Sequence, residues 1–124
     1  MARNNGVLLC DDLIFTSKII ATARAHGLTV KSVRSIEALL AAANEDANAG
    51  ILLDLHHSNY DLATLVQSLP GRNITAYGSH VDVERLKAAR AAGCTRVLPR
   101  SAFVEKLETE LPGWLALAGR ESDG

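Results

Sequence analysis

Two acids stand side by side at Asp11 and Asp12, directly behind the apolar run Val7-Leu8-Leu9-Cys10. Neighbouring carboxylates repel each other, so the pairing costs stability unless a cation or a charged partner relieves it. A third acid, Asp54, interrupts another apolar run, residues 50–55. Oxygen ligands at this density suit Mg2+, which takes one or two carboxylates, a carbonyl and several waters. Taken singly, an acid behind a strand is commonly a helix cap or turn former, and Asp12 alone reads as a cap. Three acids at two strand ends are harder to assign to capping. The chemistry depends on whether the chain carries all three to one place.

Strand-like runs at 7–10, 28–33, 50–55, 73–77 and 95–98 alternate with helical patterns. After the first run, Ile14, Ile19 and Ala23 recur at helical spacing and Gly27 closes the helix. Ser35 is the expected N-cap of the Ala/Leu-rich helix that follows. A short helix after the third strand stops at Pro70-Gly71. The next ends at Gly93, and the last is expected to end before Pro112-Gly113. Five strands and five helices joined by short connections predict an α/β fold with a parallel sheet covered on both faces. Right-handed crossovers make it a doubly wound three-layer sandwich. All strand C-termini then share one edge, and ligands bind where the strand order reverses. That edge is where Asp11, Asp12 and Asp54 are expected to converge.

The 124 residues, 48% hydrophobic and 22% charged, suit one soluble globular domain, expected over 1–113. Residues 114–124 read as a C-terminal extension and disordered tail, with Trp114 to Ala118 as an apolar turn that covers an edge or serves a homodimer contact. A net charge of −1 leaves no basic surface for direct nucleic-acid binding. Arg85, Lys87 and Arg90 read as a solvated helix face. Cys10 and Cys94 share no metal spacing and read as reduced thiols. No apolar run nears the roughly 20 residues a membrane span needs, and the opening MARNNG lacks the core of a signal peptide. The expected location is the cytoplasm.

The motifs VLLCDD, GILLDL and ARAAGCTRVLPR, with their spacings, resemble the receiver domain of two-component response regulators over roughly residues 6–111. The resemblance implies a flavodoxin-like, receiver-like sheet of order 2-1-3-4-5. It further implies that Asp54 accepts a phosphoryl group from a histidine kinase or phosphotransfer protein. Mg2+ would be held by Asp12 directly, by Asp11 through water, by Asp54 and by the backbone carbonyl of His56. A carboxylate would attack in line while the metal neutralises charge on the transferring oxygens. Signalling would pass to a downstream protein through the fourth helix and fifth strand, a surface that includes Arg90, Val97 and Arg100.

Several positions depart from the family pattern. Gly78 stands where the fourth strand normally ends in a hydroxyl, and Ser79 one residue later is the candidate substitute. Arg100 occupies the lysine position and Ser101 the following proline. Arginine keeps the charge and can grip two phosphate oxygens, with a larger and less mobile head. Val97 replaces the switch aromatic. The loop after Asp54 carries His57-Ser58, keeps Asp61, and has Leu62 in place of a glycine. His56 and His57 raise a transition-metal reading, but adjacent residues of an extended loop point apart. His26 and His80 default to the surface. Two other readings follow: a degenerate receiver that acts by binding or dimerisation without phosphorylation, and an aspartyl-nucleophile phosphohydrolase. The latter normally separates its first-strand acids and carries cap segments.

Overall fold

Strands that are apolar from end to end must be buried on both faces, and here they form the middle of the sheet. The computed structural model describes residues 5–56 and 60–116. Its strands are β1 (Gly6–Leu9), β2 (Val30–Val33), β3 (Gly50–Asp54), β4 (Ile74–Gly78) and β5 (Arg96–Pro99). All pair in parallel in the order β2-β1-β3-β4-β5. Every residue of β1, β3 and β4 is buried, whereas Lys31 and Ser32 of edge strand β2 are exposed and β5 is half-buried throughout. Strand order and fold class are those expected, with strand ends shifted by one or two residues.

The helices are α1 (Leu13–Ala25), α2 (Ile36–Glu45), α3 (Leu62–Gln67), α4 (Val83–Ala92) and α5 (Arg100–Trp114). They divide the core in two. One cluster joins Leu9, Leu39, Leu53, Leu65 and Leu86; the other joins Leu8, Ile19, Leu52, Tyr77, Phe103 and Trp114. Ser35 caps α2 through the Ala38 amide, and Gly93 ends α4 in the left-handed region (φ 101°). No helix among the described residues is long and apolar enough to cross a membrane.

The last helix differs from expectation. It runs through Pro112 to Trp114 instead of stopping at residue 111. A proline inside a helix removes the N–H that would bond the carbonyl four residues back. That carbonyl belongs to Glu108, and His26 Nε2 bonds it at 2.6 Å. A carbonyl only accepts, so Nε2 carries the proton. His26 thus lies on the surface as expected, yet it supplies the donor that Pro112 lacks and ties α1 to α5.

The extension also begins inside the core. Trp114 and Leu115 are buried, and Trp114 stacks on Phe103 at 5.1 Å between ring centroids. Gly6 and Gly50, in register on β1 and β3, leave the space this turn fills. A Cβ on Gly50 would fall 2.7 Å from the Trp114 carbonyl oxygen. Asn73 Nδ2 donates to the carbonyls of Gly113 and Ala116, 3.1 Å each. The packed core therefore includes Trp114 and Leu115, and the apolar turn lies against the Gly6 and Gly50 ends of β1 and β3. Residues 117–124, which include the expected tail, lie outside the described residues.

Candidate functional site

Asp54 ends β3 at the upper edge, in register with Tyr77 of β4, and its side chain is only 2% exposed. A carboxylate this deep needs donors on both oxygens. Oδ1 accepts the His56 backbone N–H at 2.9 Å and faces the Arg100 guanidinium, with Nη2 at 3.7 Å. Oδ2 accepts from the Cys10 thiol at 3.4 Å. Arg100 opens α5, where it also lies over the Phe15 ring, 5.0 Å from the centroid. The expected juxtaposition of Asp54 with a cation in the lysine position is therefore present.

Asp12 and Asp54 are held by different donors. Asp12 is the N-cap of α1, where Oδ1 accepts from the backbone N–H groups of Ile14 and Phe15 at 3.1 Å each. Capping satisfies two amides that the first helical turn leaves without partners, and it turns the carboxylate toward its own helix. Asp11 and Asp12 are both exposed, whereas Asp54 is directed to Cys10, His56 and Arg100. Among the described residues, no three His, Cys, Asp or Glu side chains form a group that could hold a metal ion. His56 contributes its amide to Asp54 and is exposed. His57 and Ser58 lie outside the described residues.

Ser79 is exposed, and its Oγ accepts the Val81 N–H at 3.3 Å, so the hydroxyl shapes the loop after β4. Gly78 faces the opposite layer: a Cβ there would meet Leu55 at 3.2 Å. Arg85 leaves the solvated face expected for it. Its Nε donates to the Leu55 carbonyl at 3.2 Å, and its guanidinium lies over Tyr60, 5.3 Å from the ring centroid. Tyr60 in turn donates to the Asp54 carbonyl at 3.4 Å. Cys10, Tyr60 and Arg85 thus support the site without having been singled out for it. Cys10 could have been noticed from its place beside the acid pair; Tyr60 and Arg85 carry no local signal.

Burial, aided by the Asp54 charge, raises the pKa of Cys10 and Tyr77 and holds both neutral. Burial likewise raises Tyr60 and pushes Cys94 from 9.0 up to about 11. Each group binds its proton more tightly folded than unfolded. The associated stability is complete below the unfolded value and is lost as pH rises toward the folded one. Thermal or urea unfolding followed from pH 7 to 11 should therefore show stability falling from about pH 9, by up to roughly 1.4 kcal/mol per pH unit for each titrating group.

No family model and no curated protein sequence matches the chain. Solved structures do. A protein assigned as a response regulator from Chloroflexus aurantiacus aligns with a TM-score of 0.77 at 17% identity, over 92% of this chain and 98% of that one. FixJ-N aligns with a TM-score of 0.71 at 21% identity, over 87% and 93%. A response regulator protein from Burkholderia pseudomallei, solved with a phosphorylated aspartic acid, calcium ion and citrate, aligns at 0.70 and 20% identity, over 96% and 69%. The chain has the fold of response-regulator receiver domains.

Proposed function

We propose that this chain is a receiver-type signalling module that works through protein contacts, with Asp54 held by Arg100 in place of a metal-assisted phosphorylation cycle. One observation carries the reading. The Asp54 carboxylate is 2% exposed, and both its oxygens already have partners supplied by the chain itself. A nucleophile must present a lone pair along the line of attack, and a carboxylate this buried, ion-paired with Arg100, presents little of itself to an approaching donor. Gly78 and Val97 remove the hydroxyl and the aromatic through which a phosphorylated receiver would report. Output would then depend on a partner or a second copy meeting the surface of α4 and β5, where Arg90 is exposed and Val97 and Arg100 are half-buried.

A second reading keeps Asp54 as phosphoacceptor, fed by a histidine kinase or phosphotransfer protein. The Arg100 placement favours it, since a cation 3.7 Å from the carboxylate could also grip phosphoryl oxygens. The phosphorylated aspartic acid of the Burkholderia structure favours it as well. It further needs Mg2+ on Asp11, Asp12, Asp54 and the His56 carbonyl, which the cap at Asp12 and the bonds at Asp54 oppose. Intact mass after incubation with Mg2+ and acetyl phosphate separates the two. The proposed function expects an unchanged mass, also in the presence of a histidine kinase. A gain of one phosphoryl group that disappears in Asp54→Asn would establish the second reading.

A further inference from the structure

Four of the chain's five aromatic side chains form one continuous stack. The Arg100 guanidinium lies over Phe15, and Phe15 meets Tyr77 at 5.1 Å between centroids. Tyr77 stacks on Phe103 at 4.2 Å, and Phe103 on Trp114 at 5.1 Å. The file runs from the Asp54–Arg100 pair at the upper edge to the turn at the Gly6 and Gly50 ends of β1 and β3. Tyr77 is where it meets the site: it is the register partner of Asp54 and fully buried. Its hydroxyl has no hydrogen-bond partner, although Asp54 and the Cys10 thiol both act on it electrostatically. A phenol buried in that state costs stability, and the packing of its ring against Phe15 and Phe103 holds it there. Of the groups that hold Asp54, the His56 amide is backbone and the Cys10 thiol is buried. Arg100 is 38% exposed, and its 3.7 Å approach is longer than a hydrogen bond. It is the one holder that a competing anion can draw away.

We infer that Tyr77 is a standby donor to Asp54. When a partner's carboxylate draws Arg100 off, the Tyr77 hydroxyl takes its place on the Asp54 carboxylate, and the movement of its ring passes through Phe103 to Trp114. A hydroxyl without a partner gains a charge-assisted bond by the exchange, which offsets part of the lost ion pair. Arg100 leaves its place over Phe15 in the same step, which loosens the ring beside Tyr77. Close-packed rings leave no void to absorb a shift, so the stack moves together. The seat of the C-terminal turn then reports the state of Asp54 from the other end of the sheet. The exchange needs only the unmodified carboxylate, whichever reading of Asp54 phosphorylation holds.

A double-mutant cycle of Tyr77→Phe and Arg100→Ala, followed by urea unfolding in EDTA, tests the exchange. With Arg100 present, Tyr77→Phe removes only an unsatisfied hydroxyl and should leave the urea midpoint unchanged or raise it. In the Arg100→Ala background the same substitution removes the replacement donor and should raise the unfolding constant roughly tenfold or more. Failure of the double variant alone to fold would be the extreme of that coupling. Trp114, the chain's only tryptophan, gives the second readout. Arg100→Ala should shift its indole N–H resonance and its fluorescence, and adding Tyr77→Phe should remove most of both shifts. A cost of Tyr77→Phe that is the same in both backgrounds, or Trp114 signals that ignore either substitution, would overturn the inference. Phosphorylation of Asp54 by acetyl phosphate would instead overturn the proposed function and leave this cycle, run without a phosphodonor, as it is.

Discussion

Arg100→Ala should lower the unfolding free energy by about 2 kcal/mol, because it leaves the Asp54 carboxylate buried without its cation. For a fully buried pair the loss is roughly 3–5 kcal/mol. Here Arg100 is 38% exposed, so water can occupy part of its place and the cost shrinks. Arg100→Lys keeps the charge but not the planar head that lies over Phe15, and should recover part of the stability. Urea unfolding of the three proteins measures all of this. Equal stability of Arg100→Ala and the parent would mean that the His56 amide and the Cys10 thiol suffice to hold Asp54.

Trp114→Ala should cost more, about 3–5 kcal/mol, as a large buried aromatic is replaced by a cavity. Trp114 is 2% exposed, stacks on Phe103, and heads the turn that covers the Gly6 and Gly50 ends of the central strands. Phe103 in turn stacks on Tyr77, 4.2 Å between centroids, so the loss reaches the strand beside Asp54. Gly50→Ala strains the same closure from the other side, since the clash is with backbone that no rotamer change can move. Both variants should lower the urea midpoint, and near-parent stability of Trp114→Ala would show that the turn is only loosely seated.

The sheet was legible because apolar period and glycine and proline punctuation agree from residue 6 to residue 99. Ser35 and Gly93 cap the helices they were expected to cap, since those signals are local. Pro112 misled for the opposite reason. Its missing donor is replaced by His26, 86 residues earlier in the chain, and no local pattern announces such a bond. Trp114 and Leu115 were visible as an apolar turn, yet their burial depends on two glycines elsewhere in the sequence. At the candidate site, topology brought Asp54 and the ends of β1 to one edge, as expected. The direction of each carboxylate was decided by competition among nearby donors. Asp12 found two amides of its own helix, and Asp54 found a thiol, an amide and a guanidinium.

In the proposed function an internal cation, Arg100, does what a bound metal would otherwise do. A double-mutant cycle of Arg100→Ala and Asp54→Asn, run in EDTA and again in Mg2+ at matched ionic strength, tests this most directly. A coupling of about 1–2 kcal/mol is predicted, the scale of residues in direct contact, with the same value in both buffers. A coupling near zero, or Mg2+ stabilising the parent but not Asp54→Asn, would contradict it.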